Sequence, residues 1–249
     1  MPKIPDFPFS DDEFRACVAR AVKAYWSGRR KQARRQTSKG VRDAGTRGEV
    51  TGGHQLDAFG NILVDLARRA GFAEEEIAFR TALAVPGWYR PQKKWDFAVC
   101  RGGRLVAVVE LKSQSGSFGN NCNNRAEEVI GLARDFWVAY REKTFGLVPA
   151  PWLGYFFLLE DSPKSSAPVK LHPSTLKPLS KFEGTSYQDR YRILCETLLL
   201  ERDFSATSLI LSRRPAGRSS ASFSEPAPAL SFVAFCKSLY AHLVAHARN

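Results

Sequence analysis

Three charged side chains stand in a stretch of the chain that is otherwise mostly apolar. Asp96 opens one apolar run, and Glu110 and Lys112 close the next. Burying two carboxylates and an ammonium group is costly unless the groups share a task. Carboxylate oxygens are the usual ligands of hard divalent cations, and a neighbouring lysine can act on whatever such a cation binds. These residue types therefore point to a cation-dependent catalytic site.

The element that must position these groups is a predicted β-hairpin. Two apolar runs, 96–100 and 105–111, are rich in β-branched and aromatic residues and flank Arg101-Gly102-Gly103. Glycines at that point are typical of a tight turn between two strands. Because both runs are apolar at nearly every position, we expect both faces of the hairpin to be buried.

The length of the turn decides whether the three charges can meet. A two-residue turn at Gly102-Gly103 pairs Asp96 with Val109 and leaves Glu110 on the opposite face. A three-residue turn, with its last glycine left-handed, pairs Asp96 with Val108 and places all three charges on one face. Of these two registers, only the longer turn assembles a site.

The same residues carry a resemblance to a known family. Asp96, thirteen intervening residues and then Glu110-Leu111-Lys112 on a neighbouring strand resemble the core of the PD-(D/E)XK nucleases. The sequence on either side of the hairpin carries a more specific resemblance. GWYRPQKKWD before it and VELKSQSGSFGNNCNNRAEE after it are similar to the XhoI-type type II restriction endonucleases. The likeness extends in patches from about Gly52 to a predicted helix at 187–200.

The chain departs from the family pattern at one position. Trp95 replaces the proline that usually precedes the aspartate. Because that proline is not a metal ligand, the departure leaves the expected metal chemistry intact.

The resemblance implies a fold and a metal site. It implies an α/β fold with a PD-(D/E)XK restriction-endonuclease-like core, in which helices flank a mixed central sheet. It also implies that Asp96, Glu110 and the backbone carbonyl of Leu111 hold Mg²⁺, with Asp57 as an additional acid. Lys112 would then position the attacking water. The alternative interpretation of Asp57 is that it complements the dipole of the helix it begins.

The resemblance further implies a reaction and partners. A type II enzyme of this kind cuts both strands of double-stranded DNA at a palindrome, here CTCGAG, and leaves 5′-phosphates. A palindromic target is best met by a two-fold homodimer. A cognate DNA methyltransferase that protects the same site in the host is expected as well.

Candidate DNA contacts fall in three segments. The first follows the catalytic strand, where asparagine can read adenine and arginine can read guanine; a purely structural loop is the alternative. Asn124, with Glu127, is also a plausible helix cap. The second is a polar loop before the hairpin, otherwise an ordinary connector. The third is a basic loop at about 29–50, otherwise solvated. The candidates are Asn120, Asn121, Asn123, Asn124 and Arg125; Tyr89, Arg90, Lys93 and Lys94; and Arg29 and Arg30.

Composition agrees with a polyanionic partner. The 249 residues carry a net charge of +12, which favours a negatively charged partner. A chain of this length is expected to form one domain, 1–249, with a substantial core. The start of the sequence is unlike a signal peptide, and no apolar run reaches the roughly 20 residues of a membrane span. The five cysteines are scattered without zinc spacing, which favours reduced thiols and a cytoplasmic location.

Other elements are predicted from periodicity. They are a helix from Ser10 to about Gly28, a second helix from about Leu56 to Gly71, a strand over Ile77–Val85, a strand over Trp152–Leu159, a helix over Ser186–Leu200, a strand over Ser208–Ser212, a flexible segment at about 213–228 and a helix over Leu230–Ala247. His242 and His246 have metal-binding spacing but no third ligand nearby, so we interpret them as surface residues.

Two other classes of protein remain open. A structure- or damage-directed repair nuclease would share the core but show no sequence preference. A non-catalytic DNA-binding protein would need no metal, and the presence of Asp96, Glu110 and Lys112 argues against it.

Overall fold

The computed structural model describes residues 6–38, 54–80, 83–146, 148–171, 175–216 and 222–247. Within these ranges the helices are α1 (Asp11–Ser38), α2 (Asp57–Ala70), α3 (Phe118–Arg141), α4 (Pro163–Ser166), α5 (Tyr187–Leu200) and α6 (Phe232–Ala247). The strands are β1 (Ile77–Phe79), β2 (Ala84–Pro86), β3 (Gln92–Lys94), β4 (Phe97–Arg101), β5 (Arg104–Gln114), β6 (Trp152–Asp161), β7 (Ala206–Arg213) and β8 (Phe223–Ser224).

A mixed sheet of six strands in the order β1-β4-β5-β6-β7-β8 forms the centre of the fold. The pairs β5–β6 and β6–β7 are parallel, and the other pairs are antiparallel. Parallel neighbours need crossover connections, and α3 and α5 supply them. The expected mixed sheet flanked by helices is confirmed.

Two apolar layers cover the faces of this sheet. On one face, α1, α2 and α6 pack through large buried rings that include Trp26, Phe59 and Phe232. On the other face, α3 and α5 pack through Phe136 and Tyr191. Burial on both faces explains why β4, β5 and β6 are almost continuously apolar.

The predicted hairpin is confirmed, but its register differs from both registers considered above. The turn has two residues, with Arg101 paired to Arg104 and both glycines at positive φ. A bulge then interrupts the ladder, because Cys100 pairs with Leu105 while Val99 pairs with Ala107. The extra residue shifts the register by one and brings Asp96, Glu110 and Lys112 to the same face of the sheet. The predicted three-residue turn was therefore wrong, although the predicted common face is observed.

That bulge is what assembles the charges. Below it, Phe97 pairs with Val109, so continuation of the ladder by one step places Asp96 opposite Glu110. Paired residues share a face of the sheet. Asp96, Glu110 and Lys112 therefore lie together, as the sequence predicted.

Two predicted boundaries were wrong, and a third segment includes a short strand. The first helix does not end near Gly28 but continues to Ser38, so Arg29 and Arg30 are helical and not in a loop. The predicted strand Ile77–Val85 is two short strands in two sheets: β1 pairs with β4, and β2 pairs with β3. The segment expected to be flexible at 213–228 contains β8, which pairs with β7.

Several other predictions have clear outcomes. The second helix ends at Gly71, whose φ of 101° is left-handed, as its sequence indicated. His242 is not a plain surface residue, because its Nε2 lies 3.0 Å from the carbonyl oxygen of Val106. All five cysteines are free. Among the helices that the structure describes, none combines the length and apolar character that crossing a membrane requires.

Candidate active site

The hairpin and its bulge place the predicted catalytic groups together, near the start of β4 and the end of β5. Asp96 lies just before β4, and its Oδ2 accepts a hydrogen bond of 2.8 Å from the backbone N–H of Leu111. Glu110 is 2% exposed and contacts the ammonium group of Lys112 through Oε1. Glu110 and Lys112 are thus in direct contact, and Asp96 is bonded to the backbone of Leu111, the residue between them.

The bond to Leu111 also orients a backbone oxygen. In an extended strand, the N–H and C=O groups of one residue point to the same side. The carbonyl of Leu111 therefore lies on the side of β5 that faces Asp96. This is the position that a backbone metal ligand in this site requires.

Electrostatics at the site favour an additional cation. Desolvation, followed by the negative charge of Glu110, raises the pKa of Asp96 to about 6. Burial alone would lower the pKa of Lys112, but the charges of Glu110, Glu128 and Asp96 outweigh it and the pKa is raised. Two carboxylates that repel each other are stabilised by any cation placed between them.

The donor set fits a hard divalent cation. Oε2 of Glu110 is buried and has no aligned hydrogen bond within the described part of the chain. Asp96 retains Oδ1 beside the oxygen that Leu111 engages. No cluster of three or more His, Cys, Asp or Glu side chains with metal-binding geometry occurs among the described residues. Mg²⁺ binds through few carboxylates plus waters and substrate phosphate, so two carboxylates and a carbonyl suit it.

A second lysine reaches the same carboxylate. Lys93 Nζ lies 2.8 Å from Glu110 Oε2 and 5.0 Å from the centre of the Trp95 ring. Sequence reasoning placed Lys93 among the DNA contacts but did not foresee its contact with Glu110. That contact depends on how the β2–β3 hairpin folds back over β5, which no local pattern reveals.

Glu128 was missed altogether by the sequence analysis. Its Oε1 lies 3.3 Å from Lys112 Nζ, and its other oxygen contacts Arg125. The i,i+3 spacing of Arg125 and Glu128 on a helix was a signal that could have indicated their pairing. The link from Glu128 to the catalytic strand was not visible in the sequence.

Asp57 occupies a different environment from the trio. Its Oδ1 accepts a hydrogen bond of 2.7 Å from Arg80 Nε, and its Oδ2 lies 3.1 Å from His54 Nδ1. These two partners engage both oxygens of the carboxylate. Its role as a metal ligand therefore stays a prediction, and it requires Arg80 to move aside.

The asparagine run forms the start of α3 and not a loop. Helix α3 begins at Phe118, preceded by Gly116 and Ser117 at positive φ, so Asn124 is not the helix cap that we predicted. The helical position separates the candidates into two faces. Asn121 and Arg125 lie on the face of Glu128, toward Lys112.

The remaining asparagines, Asn120, Asn123 and Asn124, are exposed. Asn124, four residues before Glu128, adjoins the face of Glu128, whereas Asn120 and Asn123 lie further round the helix. Asn120 and Asn123 line a groove of about 710 Å³ between α3, α5 and the segment near Lys181. The predicted DNA-contact residues on α3 therefore point in two directions.

The predicted polar loop is the tip of the β2–β3 hairpin, anchored on α3. Asp135, 6% exposed, accepts hydrogen bonds from the backbone N–H groups of Trp88 and Tyr89 at 2.9 and 2.8 Å. It also accepts one of 2.8 Å from Arg90 Nε. Trp88 and Tyr89 are 50% and 66% exposed. The tip thus displays two aromatic rings on a fixed backbone.

Helix α1 passes close to the site at Arg29. Arg29 contacts Ser115, in the turn between β5 and α3, and lies 3.4 Å from Gln55 Oε1. Arg30 lies 3.3 Å from Ser27 Oγ. Residues 39–50 of the predicted basic loop lie outside the described residues.

An aspartate and a Glu-x-Lys pair, brought together by a hairpin in a mixed sheet that helices cover on both faces, define a restriction-endonuclease-like α/β protein. Sequence comparisons agree with that class. A sequence model of the family described as Restriction endonuclease XhoI matches residues 35–225. The chain belongs to this family of type II restriction endonucleases.

Individual relatives support the same assignment. The type II restriction enzyme BstVI of Geobacillus stearothermophilus is 42% identical over 212 residues, which cover 83% of this chain and 94% of that enzyme. The type II restriction enzyme XhoI of Xanthomonas vasicola is 38% identical over 211 residues, 82% of this chain and 84% of that enzyme. The type II restriction enzyme AbrI of Azospirillum brasilense is 44% identical over 148 residues, 59% of this chain and 66% of that enzyme. No solved structure matches the chain. The resemblance drawn from the sequence is confirmed, and DNA is the partner on which restriction enzymes act.

Proposed function

We propose that this protein cuts double-stranded DNA at CTCGAG by Mg²⁺-dependent hydrolysis and leaves 5′-phosphates. The observation that carries the proposal is the proximity of Asp96, Glu110 and Lys112, with Asp96 bonded to the Leu111 backbone and Lys112 in contact with Glu110. The 38% identity to the XhoI enzyme supports the target sequence.

Each group has a distinct role in this reaction. Asp96, Glu110 and the carbonyl of Leu111 hold Mg²⁺, with Asp57 as a further candidate ligand. When bound, Mg²⁺ supplies polarisation of the phosphate and acidification of a water. Lys112, held by Glu110 and Glu128, orients the attacking water and offsets negative charge that develops on the phosphate.

DNA contacts are proposed for three elements. The first two turns of α3 reach base edges beside the cut, through Asn121 and Arg125. The hairpin tip supplies exposed aromatic rings, with Arg90 and Lys94 available for phosphates. Helix α1 adds Arg29 and Arg30, whose positive charge strengthens binding to any sequence.

A homodimer is proposed because the target is two-fold symmetric. One copy of the site then serves each strand, and the two-fold axis of the protein coincides with that of the DNA. A methyltransferase that modifies the same sequence protects the host, without any need to bind this protein.

The test is a digest of a plasmid of known sequence that contains one CTCGAG. The expected result with Mg²⁺ is one linear product whose mapped ends lie at the site and carry 5′-phosphates. A matched plasmid with one base of the site changed should stay uncut, and so should either plasmid in a chelator. A smear of products would favour the repair nuclease. Binding without cutting in Mg²⁺ would favour the non-catalytic DNA-binding protein.

A further inference from the structure

Lys93 reaches the active site from an element that carries none of the other catalytic groups. It lies on β3 opposite Val85, and its side chain is 15% exposed. Its ammonium group contacts Oε2 of Glu110, while Lys112 contacts Oε1 of the same carboxylate. One buried glutamate thus holds two lysines.

The surroundings of Lys93 restrict where its ammonium group can go. Trp95, which lies beneath it, is 6% exposed and packs edge-on against Phe136 at a centroid distance of 5.6 Å. A cation over an indole face is stabilised by the ring. The ring therefore helps to keep the ammonium group at the site, where it interacts electrostatically with Asp96, a residue that reaches solvent.

Glu110 cannot serve Lys93 and a metal ion equally. The oxygen beside Lys93 is the one without an aligned hydrogen bond, so it is the oxygen best placed for a cation. An ammonium group and a divalent cation within about 4 Å of each other repel strongly, even where the effective dielectric constant is about 20. Occupation of the metal site therefore displaces Lys93 from Glu110.

We propose that Lys93 is a second active-site lysine with two successive partners. In the DNA-free protein it neutralises Glu110, and when DNA and the cation enter it moves to the scissile phosphate. This inference rests on the proposed function, since it requires a phosphate and a cation at Glu110. Its consequence is that the protein binds the cation weakly until DNA offers Lys93 a new partner.

The first test measures cation binding without DNA. Calorimetric titration of Ca²⁺ into the full-length chain compares the parent with Lys93→Met and Lys93→Arg. Loss of one unit charge beside the cation should tighten Ca²⁺ binding by Lys93→Met about tenfold or more. Lys93→Arg keeps the charge and should bind like the parent. Lys237→Met is the matched control, because Lys237 pairs with Asp11 on α1, away from the hairpin.

The second test measures cutting and DNA binding. Lys93→Met should cut a CTCGAG duplex in Mg²⁺ about a hundredfold more slowly than the parent. In Ca²⁺, its slope of log affinity for DNA against log salt should fall by about 0.9. The two effects of Lys93→Met have opposite directions, since cation binding tightens while cutting slows. Loss of a residue that only supports the fold is not expected to produce this combination.

Defined results would overturn the inference. Ca²⁺ affinity that is unchanged in Lys93→Met shows that Lys93 does not shield Glu110, and unchanged cutting shows that it does not serve the phosphate. If the Met variant does not fold, Lys93→Gln is judged by the same two measurements. If the parent itself fails to cut in Mg²⁺, the proposed function fails. The Ca²⁺ titration then still decides whether Lys93 shields Glu110.

Discussion

The ammonium nitrogen of Lys112 lies 3.3 Å from Oε1 of Glu128, a carboxylate that also contacts Arg125. Glu128 therefore connects the proposed catalytic lysine with a residue proposed to read DNA. If Arg125 engages a base as proposed, Glu128 keeps only its contact with Lys112. Base recognition would then alter the surroundings of Lys112 directly.

Glu128→Gln should separate cutting from recognition. The substitution removes the charge that keeps Arg125 in place and that helps to raise the pKa of Lys112. We expect slower cutting at CTCGAG, by about tenfold, and a smaller difference between that site and single-base variants. Rates on both substrates give the measurement. Glu127→Gln, an exposed neighbour, is the control, and an identical effect of the two substitutions would contradict the connection.

Asp96→Ala, Glu110→Ala and Lys112→Ala should each slow cutting about a hundredfold or more, as expected for loss of a positioned catalytic group. Thermal unfolding of each variant checks that the fold survives. Glu110→Gln accompanies the alanine variant, because two lysines depend on that carboxylate. Glu75→Ala, an exposed acid before β1, should cut like the parent. The site assignment is wrong if any two of the three alanine variants also do.

Stability should depend on pH through Asp96. Its pKa of about 6 in the folded protein lies above its ordinary value, so the folded state binds more protons than the unfolded state between about pH 4 and pH 6. Stability from this group is therefore present at low pH and is lost as pH rises through about 6. Because Asp96 still reaches solvent, the effect is smaller than full burial would give.

Asp96→Asn should accordingly raise the melting temperature at pH 7.5, measured in a chelator. The difference from the parent should vanish near pH 4. Asp65→Asn, at an exposed pair with Arg69, should show a much smaller dependence. A melting temperature equal to that of the parent at pH 7.5 would show that the Asp96 carboxylate is not destabilised in the folded state.

The two faces of α3 should affect discrimination at different base pairs. Asn121 and Arg125 lie on the face of α3 toward Lys112, the proposed catalytic lysine. Arg125→Ala should therefore reduce discrimination between the target and variants changed at the base pairs beside the cut, by roughly 1–3 kcal/mol for a lost bidentate contact. Asn120→Ala and Asn123→Ala should act at more distant positions. Competition binding in Ca²⁺ against single-base variants measures both. If every variant keeps the preference of the parent, recognition lies elsewhere, first of all at the hairpin tip.

The sequence predicted the catalytic hairpin because the signals for it are local. Apolar runs and a glycine pair specify two strands and a turn, and the acids follow from their positions. The bulge between Val99 and Cys100 was not predictable, because it depends on how β5 meets its neighbours. The predicted proximity of Asp96, Glu110 and Lys112 therefore came from an incorrect register.

Two boundary rules failed, one for a local and one for a tertiary reason. Gly28 does not end α1, because a glycine within a helix costs only about 1 kcal/mol and favourable helix formers follow it. Asn124 was read as a cap, but Phe118, 5% exposed, stacks on Tyr187 at 5.9 Å and helps to start α3 earlier. The contacts of Lys93 and Glu128 with the site are equally long-range, which is why local pattern did not reveal them.

Because Asp135 on α3 is hydrogen-bonded to the hairpin tip, α3 sets the distance between that tip and Arg125. Arg125 and Asp135 are ten residues apart on one unbroken helix, which corresponds to about 15 Å of axial rise. That length equals four to five base-pair steps of DNA at about 3.4 Å each. The aromatic tip and Arg125, the proposed base-reading residue, are thus held at a fixed spacing close to the length of the proposed six-base target. A substitution that bends α3 between them would alter this spacing while leaving every individual contact residue in place.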